Sequence, residues 1–196
     1  MGRKAKVERK TRETEIRIEI ELDGKGDYRI DTTIPFLDHM LALFAKHGLF
    51  DLKIRARGDT EVDYHHTVED IGITLGNVVK KALGDMRGIR RYGVATVPMD
   101  ETLTEVSIDI SARPYLIYNV ALPKRYKLRD FDPALIEDFF RAFANHCGVN
   151  LHINLRYGKD IHHIIESIFK AFGRALDEAI GIDPRIKGIQ STKGRI

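Results

Sequence analysis

Histidine and glutamate recur twice in one pattern, His65-His66-x-x-Glu69 and His162-His163-x-x-Glu166. On a helix, His65 and Glu69 stand four residues apart on one face, so an imidazole nitrogen and a carboxylate oxygen can grip one divalent metal. His66 points about 100° away by helix geometry and must serve a different metal. The same holds for His162, His163 and Glu166, so two copies supply six ligands to two metals, three apiece. One such pair alone could be a solvated helix start. Its recurrence with the same glutamate offset argues for ligation. A structural metal is the other reading of the spacing, but structural zinc favours cysteine, and Cys147 stands alone. Mixed imidazole and carboxylate ligation suits Mn²⁺, Fe²⁺ or catalytic Zn²⁺.

His39 and, at the matching place in the second half, Asp138 are also metal-competent and form natural fourth ligands, one per site. His47 and His146 match each other too, but each closes a helix near a glycine, where a histidine serves the terminus. His152 aligns with Lys53 and is incidental. A second group has anion chemistry. Arg91, Arg113, Lys170 and Ser191-Thr192-Lys193-Gly194 combine guanidinium forks with a glycine-adjacent hydroxyl and amine cluster, the donors a phosphate requires.

The elements that must position these residues also repeat. Residues 14–22, TEIRIEIEL, alternate with Ile16, Ile18, Ile20 and Leu22 on one face, a half-buried strand. The DGKGD turn at 23–27 leads into a second extended run, so 14–34 reads as a β-hairpin. Pro35 opens a helix that stops at His47-Gly48, and a strand at 49–57 and a helix at about 64–84 follow. In the second half, 91–120 is extended with breaks at Pro98 and at Arg113-Pro114. A polar connection, PKRYKLRDFDP, precedes a helix at about 133–146, a strand at 148–156 and a helix at about 161–180.

Residues 38–54 align without gaps on 137–153, pairing Phe44 with Phe143 and His47 with His146, and 65–83 align on 162–176. Arg12-Glu13-Thr14 stands to the first half as Asp100-Glu101-Thr102 stands to the second. The expectation is an α+β fold made by internal duplication of a βαβ-type half, sheet on one side and helices on the other, with pseudo-twofold symmetry. Residues 1–196 then form a single domain of two repeats, about 12–90 and 91–180, with a C-terminal tail at 181–196 that is mobile unless something orders it.

At 43% hydrophobic residues the chain can bury a core without disulfides. No run approaches the roughly 20 apolar residues of a membrane span, and the basic N-terminus lacks the apolar region of a secretory signal. The lone cysteine suits a reducing compartment, so the chain is expected in the cytoplasm. The net charge is only +3 and Trp is absent, which argues against nucleic acid as a partner. A slight cationic bias suits a phosphorylated small molecule.

FLDHMLALFAKHG, HHTVEDIGITLG, MDE at 99–101, ARP at 112–114, HHIIESIFKAFGRAL and the closing STKG together resemble the imidazoleglycerol-phosphate dehydratases, over about Arg12 to Gly194. The resemblance is to the monofunctional form. It implies dehydration of imidazoleglycerol phosphate to imidazoleacetol phosphate in histidine biosynthesis, with two Mn²⁺ per active site and assembly into a shell of 24 subunits with metals at subunit contacts. Carried over by motif, one metal falls to His39, His66, His162 and Glu166, the other to His65, Glu69, His163 and Asp138. The family often has histidine where Asp138 stands. Glu13 aligns with the family's glutamate near the substrate and is the expected acid/base, with Glu69 or Glu166 able to share that task. Arg91, Arg113, Lys170, Ser191, Thr192 and Lys193 take the phosphate. On the residues alone, a dinuclear phosphoesterase and a non-catalytic metal-binding module remain the competing readings.

Overall fold

The computed structural model describes residues 2–123 and 128–194. Within them the chain forms β1 (Lys4–Lys10), β2 (Thr14–Glu21), β3 (Tyr28–Asp31), α1 (Pro35–His47), β4 (Asp51–Gly58) and α2 (His65–Leu83), and then the same series again. The second series is β5 (Tyr92–Met99), β6 (Thr102–Ile110), β7 (Tyr115–Asn119), α3 (Leu135–Cys147), β8 (Val149–Tyr157) and α4 (Ile161–Ile180). The sheets have equivalent strand orders, β1-β2-β4-β3 and β5-β6-β8-β7. In each, the third strand reaches its parallel partner through a helix, the βαβ crossover expected from the duplication.

Two sequence readings need correction. Residues 14–34 are not a hairpin. The edge of β2 that β3 would need is taken by β4, and β3 pairs parallel with β4 on that strand's far side. The true hairpin partner of β2 is β1, in antiparallel register from Lys4–Glu21 to Lys10–Glu15. The basic KAKVERK segment is thus an edge strand whose alternation was masked by lysines on its solvent face. Nor does Pro98 end a strand. It lies inside β5 opposite Leu103, at a sheet edge, where a residue without an N–H is tolerated.

Each sheet turns one face to helices. Ile16, Ile18 and Ile20 of β2 and Val106, Ile108 and Ile110 of β6 are buried. The packing runs α1 and α2 on the first sheet, α3 and α4 on the second, then α2 against α3 and α1 against α4. The helices therefore lie between the two sheets. Their meeting surface is lined by phenylalanines, with Phe44 and Phe172 stacked at 4.8 Å and Phe143 edge-on to Phe172 at 4.9 Å.

Two glycines related by the repeat allow the close approach. A Cβ on Gly173 would lie 2.6 Å from the Phe44 carbonyl oxygen, and one on Gly76 would lie 2.8 Å from that of Phe143. The pseudo-twofold is thus written into reciprocal contacts, each glycine under the other half's phenylalanine.

The C-terminal segment is ordered by contacts with the chain just before β5. Arg90 donates its N–H to Gly181 O, Gly88 N–H to Gly188 O and Asp183 N–H to Gly88 O, at 2.8–2.9 Å. Residues 124–127 of the polar connection and 195–196 of the tail lie outside the described residues. Among the described residues no helix is long and apolar enough to cross a membrane.

Candidate metal centre and anion cleft

Helices α2 and α4 begin at the two His-His pairs, and this sets the geometry. Asp160 caps α4, accepting the N–H of His162 at 2.7 Å, a normal N-terminal arrangement. One turn on, Glu166 Oε2 lies 3.2 Å from His162 Nε2 and 3.3 Å from His39 Nε2, the latter delivered by α1. These three donors lie within 4.8 Å of one another. Two imidazole nitrogens and a carboxylate oxygen converging on one point form a donor set that fits a divalent metal.

Glu166 is buried and held from behind by Lys170, whose ammonium is 2.6 Å from Oε1. Burial pushes the Glu166 carboxyl up, but the Lys170 hydrogen bond and charge, helped by His39, bring it below its ordinary value. It therefore stays an anion, as a ligand must.

The repeat places a matching group on α2 and α3. His65 Nε2 is 3.7 Å from Glu69 Oε2, and His65 Nδ1 is 3.7 Å from Asp138 Oδ2. This set is looser. Glu69 is exposed, and the position aligned with Lys170 is Ile73, so no ammonium fixes that carboxylate from behind. Asp138 stands to His65 and Glu69 as His39 stands to His162 and Glu166.

His66 and His163 do not join either set within the chain. His66 Nδ1 sits 3.0 Å from Asp59 Oδ2, with Glu13 Oε2 at 4.0 Å. His163 Nδ1 sits 2.8 Å from Glu101 Oε2. The Asp59 hydrogen bond raises the pKa of His66, and the Glu101 hydrogen bond does the same for His163. Glu101 in turn is held far below the usual carboxylate range by His163 and by the Asp160 N–H. Sequence reasoning missed Asp59 and Glu101. Glu101 was visible as the repeat mate of Glu13; Asp59 had no such signal, because the residue in its place after the matching glycine, Gly158, is Lys159.

Glu13 is exposed on the β1–β2 turn. That turn is pinned by Asp70, which is buried and accepts from Arg9 Nε at 2.8 Å and Thr14 Oγ1 at 2.5 Å. Replacing Asp70 by Ala would leave the buried Thr14 hydroxyl with only the longer Thr11 Oγ1 contact at 3.3 Å, and Arg9 without its carboxylate. We expect a loss of about 1–3 kcal/mol in urea-unfolding stability, with the turn carrying Glu13 loosened.

The anion residues gather elsewhere. Arg91, Arg113, Ser191, Thr192 and Lys193, with Ser111, line an open cleft of about 980 Å³. Arg91 is oriented by a two-pronged pair with Asp109 at 2.7 and 3.1 Å and donates to Gln190 O at 2.8 Å, tying the tail to the cleft. Arg91 and Ala112 both adopt left-handed backbone, at φ 72° and 53°, strained conformations of the kind that gather at functional sites. Lys170 is not among the lining residues. It stands at the Glu166 end of α4.

That separation has a scale. Arg91 N–H bonds to Ala179 O near the C-terminus of α4, thirteen positions beyond Glu166, which is about 20 Å at 1.5 Å per residue. Along α3, a Cβ on Gly148 would lie 3.3 Å from Ala112 Cα of the cleft, ten positions past Asp138, or about 15 Å. Within one chain, the ligand sets and the cleft sit at opposite ends of the helices.

Comparison with known proteins places these features in a family. The family model for imidazoleglycerol-phosphate dehydratase matches residues 32–176. The chain is 60% identical over its full length to the whole imidazoleglycerol-phosphate dehydratase of Citrifermentans bemidjiense. It is 58% identical to that of Thermoanaerobacter pseudethanolicus, over 98% of each chain. Among solved structures, the dehydratase of Staphylococcus aureus subsp. aureus N315 superposes with a TM-score of 0.82 at 40% identity, covering 92% of this chain and 99% of that one. The Pyrococcus furiosus protein, in complex with (S)-C348, gives 0.84 at 36% identity, over 97% of this chain and 100% of that one.

Proposed function

The chain belongs to the imidazoleglycerol-phosphate dehydratase family, and from that premise we propose how its own residues divide the reaction. It dehydrates imidazoleglycerol phosphate in histidine biosynthesis, as a hydro-lyase. Family membership decides against the phosphoesterase and the purely metal-binding readings.

The observation that carries the proposal is the convergence of His39, His162 and Glu166. We assign one Mn²⁺ to these three plus His66, and a second to His65, Glu69, Asp138 plus His163, with the catalytic carboxylate on Glu13. Two divalent cations would supply Lewis acidity to the substrate's imidazole, making the ring able to expel the hydroxyl on the carbon next to it. The proton on the following carbon must also leave, and Glu13 is placed to take it, being exposed and 4.0 Å from His66 Nδ1. Loss of that C–H proton and that hydroxide gives water and an enol, which tautomerises to the ketone, imidazoleacetol phosphate.

Arg91, Arg113, Ser191, Thr192 and Lys193 take the phosphate. The three-carbon chain joining ring and phosphate spans on the order of 6 Å by ordinary bond lengths, far less than the 15–20 Å between ligand sets and cleft counted along the helices. One chain therefore cannot hold both ends of its substrate. We assign the metal end to one subunit and the cleft to a neighbour, with Lys170 as the phosphate contact given by the metal-bearing subunit. His66 and His163 likewise complete the metals of neighbouring copies, within an assembly of 24 subunits.

The two sheets differ in a way that favours such contacts. The outward row Lys6, Glu19, Lys53 and Arg29 on the first sheet is wholly charged, while its repeat mate on the second is Val94, Ser107, His152 and Ile117. Tyr92, Val94 and Tyr115 on that second face are more than half exposed, continuous with the cleft at Tyr92. We assign this face to another copy of the chain. Val94→Glu with Ile117→Glu is expected to reduce the assembly to smaller species by light scattering, whereas Lys6→Glu leaves it intact. An undiminished assembly in the double variant would remove this face from the contact. Cytoplasmic location follows from the same reading, with Cys147 kept as a buried thiol pushed up to about 12 by its burial.

The reaction itself is tested by incubating the protein with Mn²⁺ and imidazoleglycerol phosphate and following the enolisable ketone. Product should form and should stop on chelation of the metal. Full activity in the metal-free protein would overturn the metal assignment.

A further inference from the structure

Glu13 and Glu101 occupy the same place in the two halves, on the turns that follow β1 and β5, yet their surroundings differ. Glu101 is fully engaged: Oε2 meets His163 Nδ1 at 2.8 Å, and Oε1 accepts the Asp160 N–H at 2.9 Å, the Thr102 hydroxyl at 3.1 Å and the Lys159 N–H at 3.2 Å. Glu13 has only the 4.0 Å approach to His66. What replaces it at His66 is Asp59, from the β4–α2 connection, with Oδ2 at 3.0 Å from Nδ1. Asp59 also donates its N–H to the Glu13 carbonyl at 3.1 Å, so it holds the histidine with its side chain and the glutamate's turn with its backbone. In the second half Gly158 takes the place of Gly58, each lying against its own half's threonine, Thr102 or Thr14, so the residue in the place of Asp59 is Lys159, which cannot accept a hydrogen bond through its side chain.

We propose that Asp59 and Glu101 are the positioning residues of the two outward histidines, His66 and His163, and that recruitment of Asp59 released Glu13 from this duty for proton transfer. An ionised carboxylate only accepts hydrogen bonds, so the ring nitrogen facing it must carry the proton. Nδ1–H on the carboxylate leaves the Nε2 lone pair as the ligand atom; at His163 that nitrogen is faced, at 3.8 Å, by the exposed Asp100 carboxylate. Carboxylate-backed histidines of this kind are oriented and made more basic toward a metal. The two halves reach the same arrangement from different places in the sequence, and that convergence argues for a shared demand rather than an inherited contact. Of the two glutamates on these matching turns, Glu101 is engaged and Glu13 is left free beside its histidine.

The inference rests on the metal reading above, and one set of measurements separates the two. Mn²⁺ is titrated calorimetrically into the metal-free, full-length protein as wild type and as Asp59→Asn, Glu101→Gln and Glu13→Gln, each also assayed for turnover. Asp59→Asn and Glu101→Gln should each weaken one Mn²⁺ site by about 10- to 100-fold. Glu13→Gln should leave both Mn²⁺ affinities within about twofold of wild type while kcat falls by about 10²–10⁴. Wild-type Mn²⁺ affinity in both Asp59→Asn and Glu101→Gln would overturn the inference alone, as would a Glu13→Gln loss of affinity equal to theirs. A wild-type protein that binds no Mn²⁺ would take down the metal reading and this inference with it. The substitutions are near-isosteric at part-exposed or exposed positions, and unchanged thermal unfolding of the metal-free forms verifies that each variant is folded.

Discussion

A mixture of two inactive variants, His162→Ala and Arg113→Ala, is expected to recover activity after the subunits are dissociated and reassembled together. Alone, the first lacks an imidazole of the ligand set built on Glu166 and the second lacks a guanidinium of the phosphate cleft; each should fall by about 100-fold or more. Were both ends of the substrate held by one chain, every site in the mixture would carry one of the two lesions. With the metal end on one subunit and the cleft on another, random mixing leaves about a quarter of the sites with both intact. The reasoning turns on lengths: about 20 Å of α4 lies between Glu166 and the carbonyl that Arg91 binds, and the substrate cannot bridge it. Recovery near a quarter of wild type supports shared sites, and no recovery from demonstrably mixed oligomers contradicts them.

Gly173→Val is expected to damage the packing between the two halves severely. A Cβ there would stand 2.6 Å from Phe44 O and 3.0 Å from Gly48 N, both backbone atoms that cannot swing aside. Within a helix, valine gains only about 0.3–0.5 kcal/mol of propensity over glycine, against about 1 kcal/mol for alanine. Here the overpacking cost of about 1–3 kcal/mol or more works the other way, and valine adds two further methyls. A net loss of about 3 kcal/mol should lower Tm by about 6–12 °C in a chain of this size. Gly76→Ala tests the symmetric contact on Phe143 O and should also destabilise. If Gly76→Ala instead raises Tm, helix propensity dominates and the α2–α3 approach is looser than described.

Much of the architecture could be read from the sequence because the duplication doubled each signal. The four helices and the βαβ crossover followed from apolar periodicity and the aligned blocks, and His39 and Asp138 were found as ligand candidates only because they align. What escaped notice depended on pairing across the fold. The competition of β3 and β4 for one edge of β2 is tertiary, so a turn-rich DGKGD could not reveal it. The strand character of KAKVERK was hidden by lysines that are outward only once β2 lies beside them. Lys170 could be read as a phosphate ligand by type, but its ion pair with Glu166 and its distance from the cleft of its own chain emerged only when α4 was laid out in space. Asp59 carried no sequence signal at all, since the repeat has a lysine there and the aspartate acquires its role only where the end of β4 approaches α2.

Crystals of the assembled protein grown with Mn²⁺, measured at the manganese absorption edge, test the central assignment most directly. Two anomalous peaks per chain are expected. One should lie among His39, His162 and Glu166 and be closed by Nε2 of His66 from a neighbouring subunit; the other should lie among His65, Glu69 and Asp138 and be closed by Nε2 of His163 from a neighbouring subunit. Peaks whose ligands all come from a single chain, or a single peak that leaves His66 and His163 without metal, would contradict it.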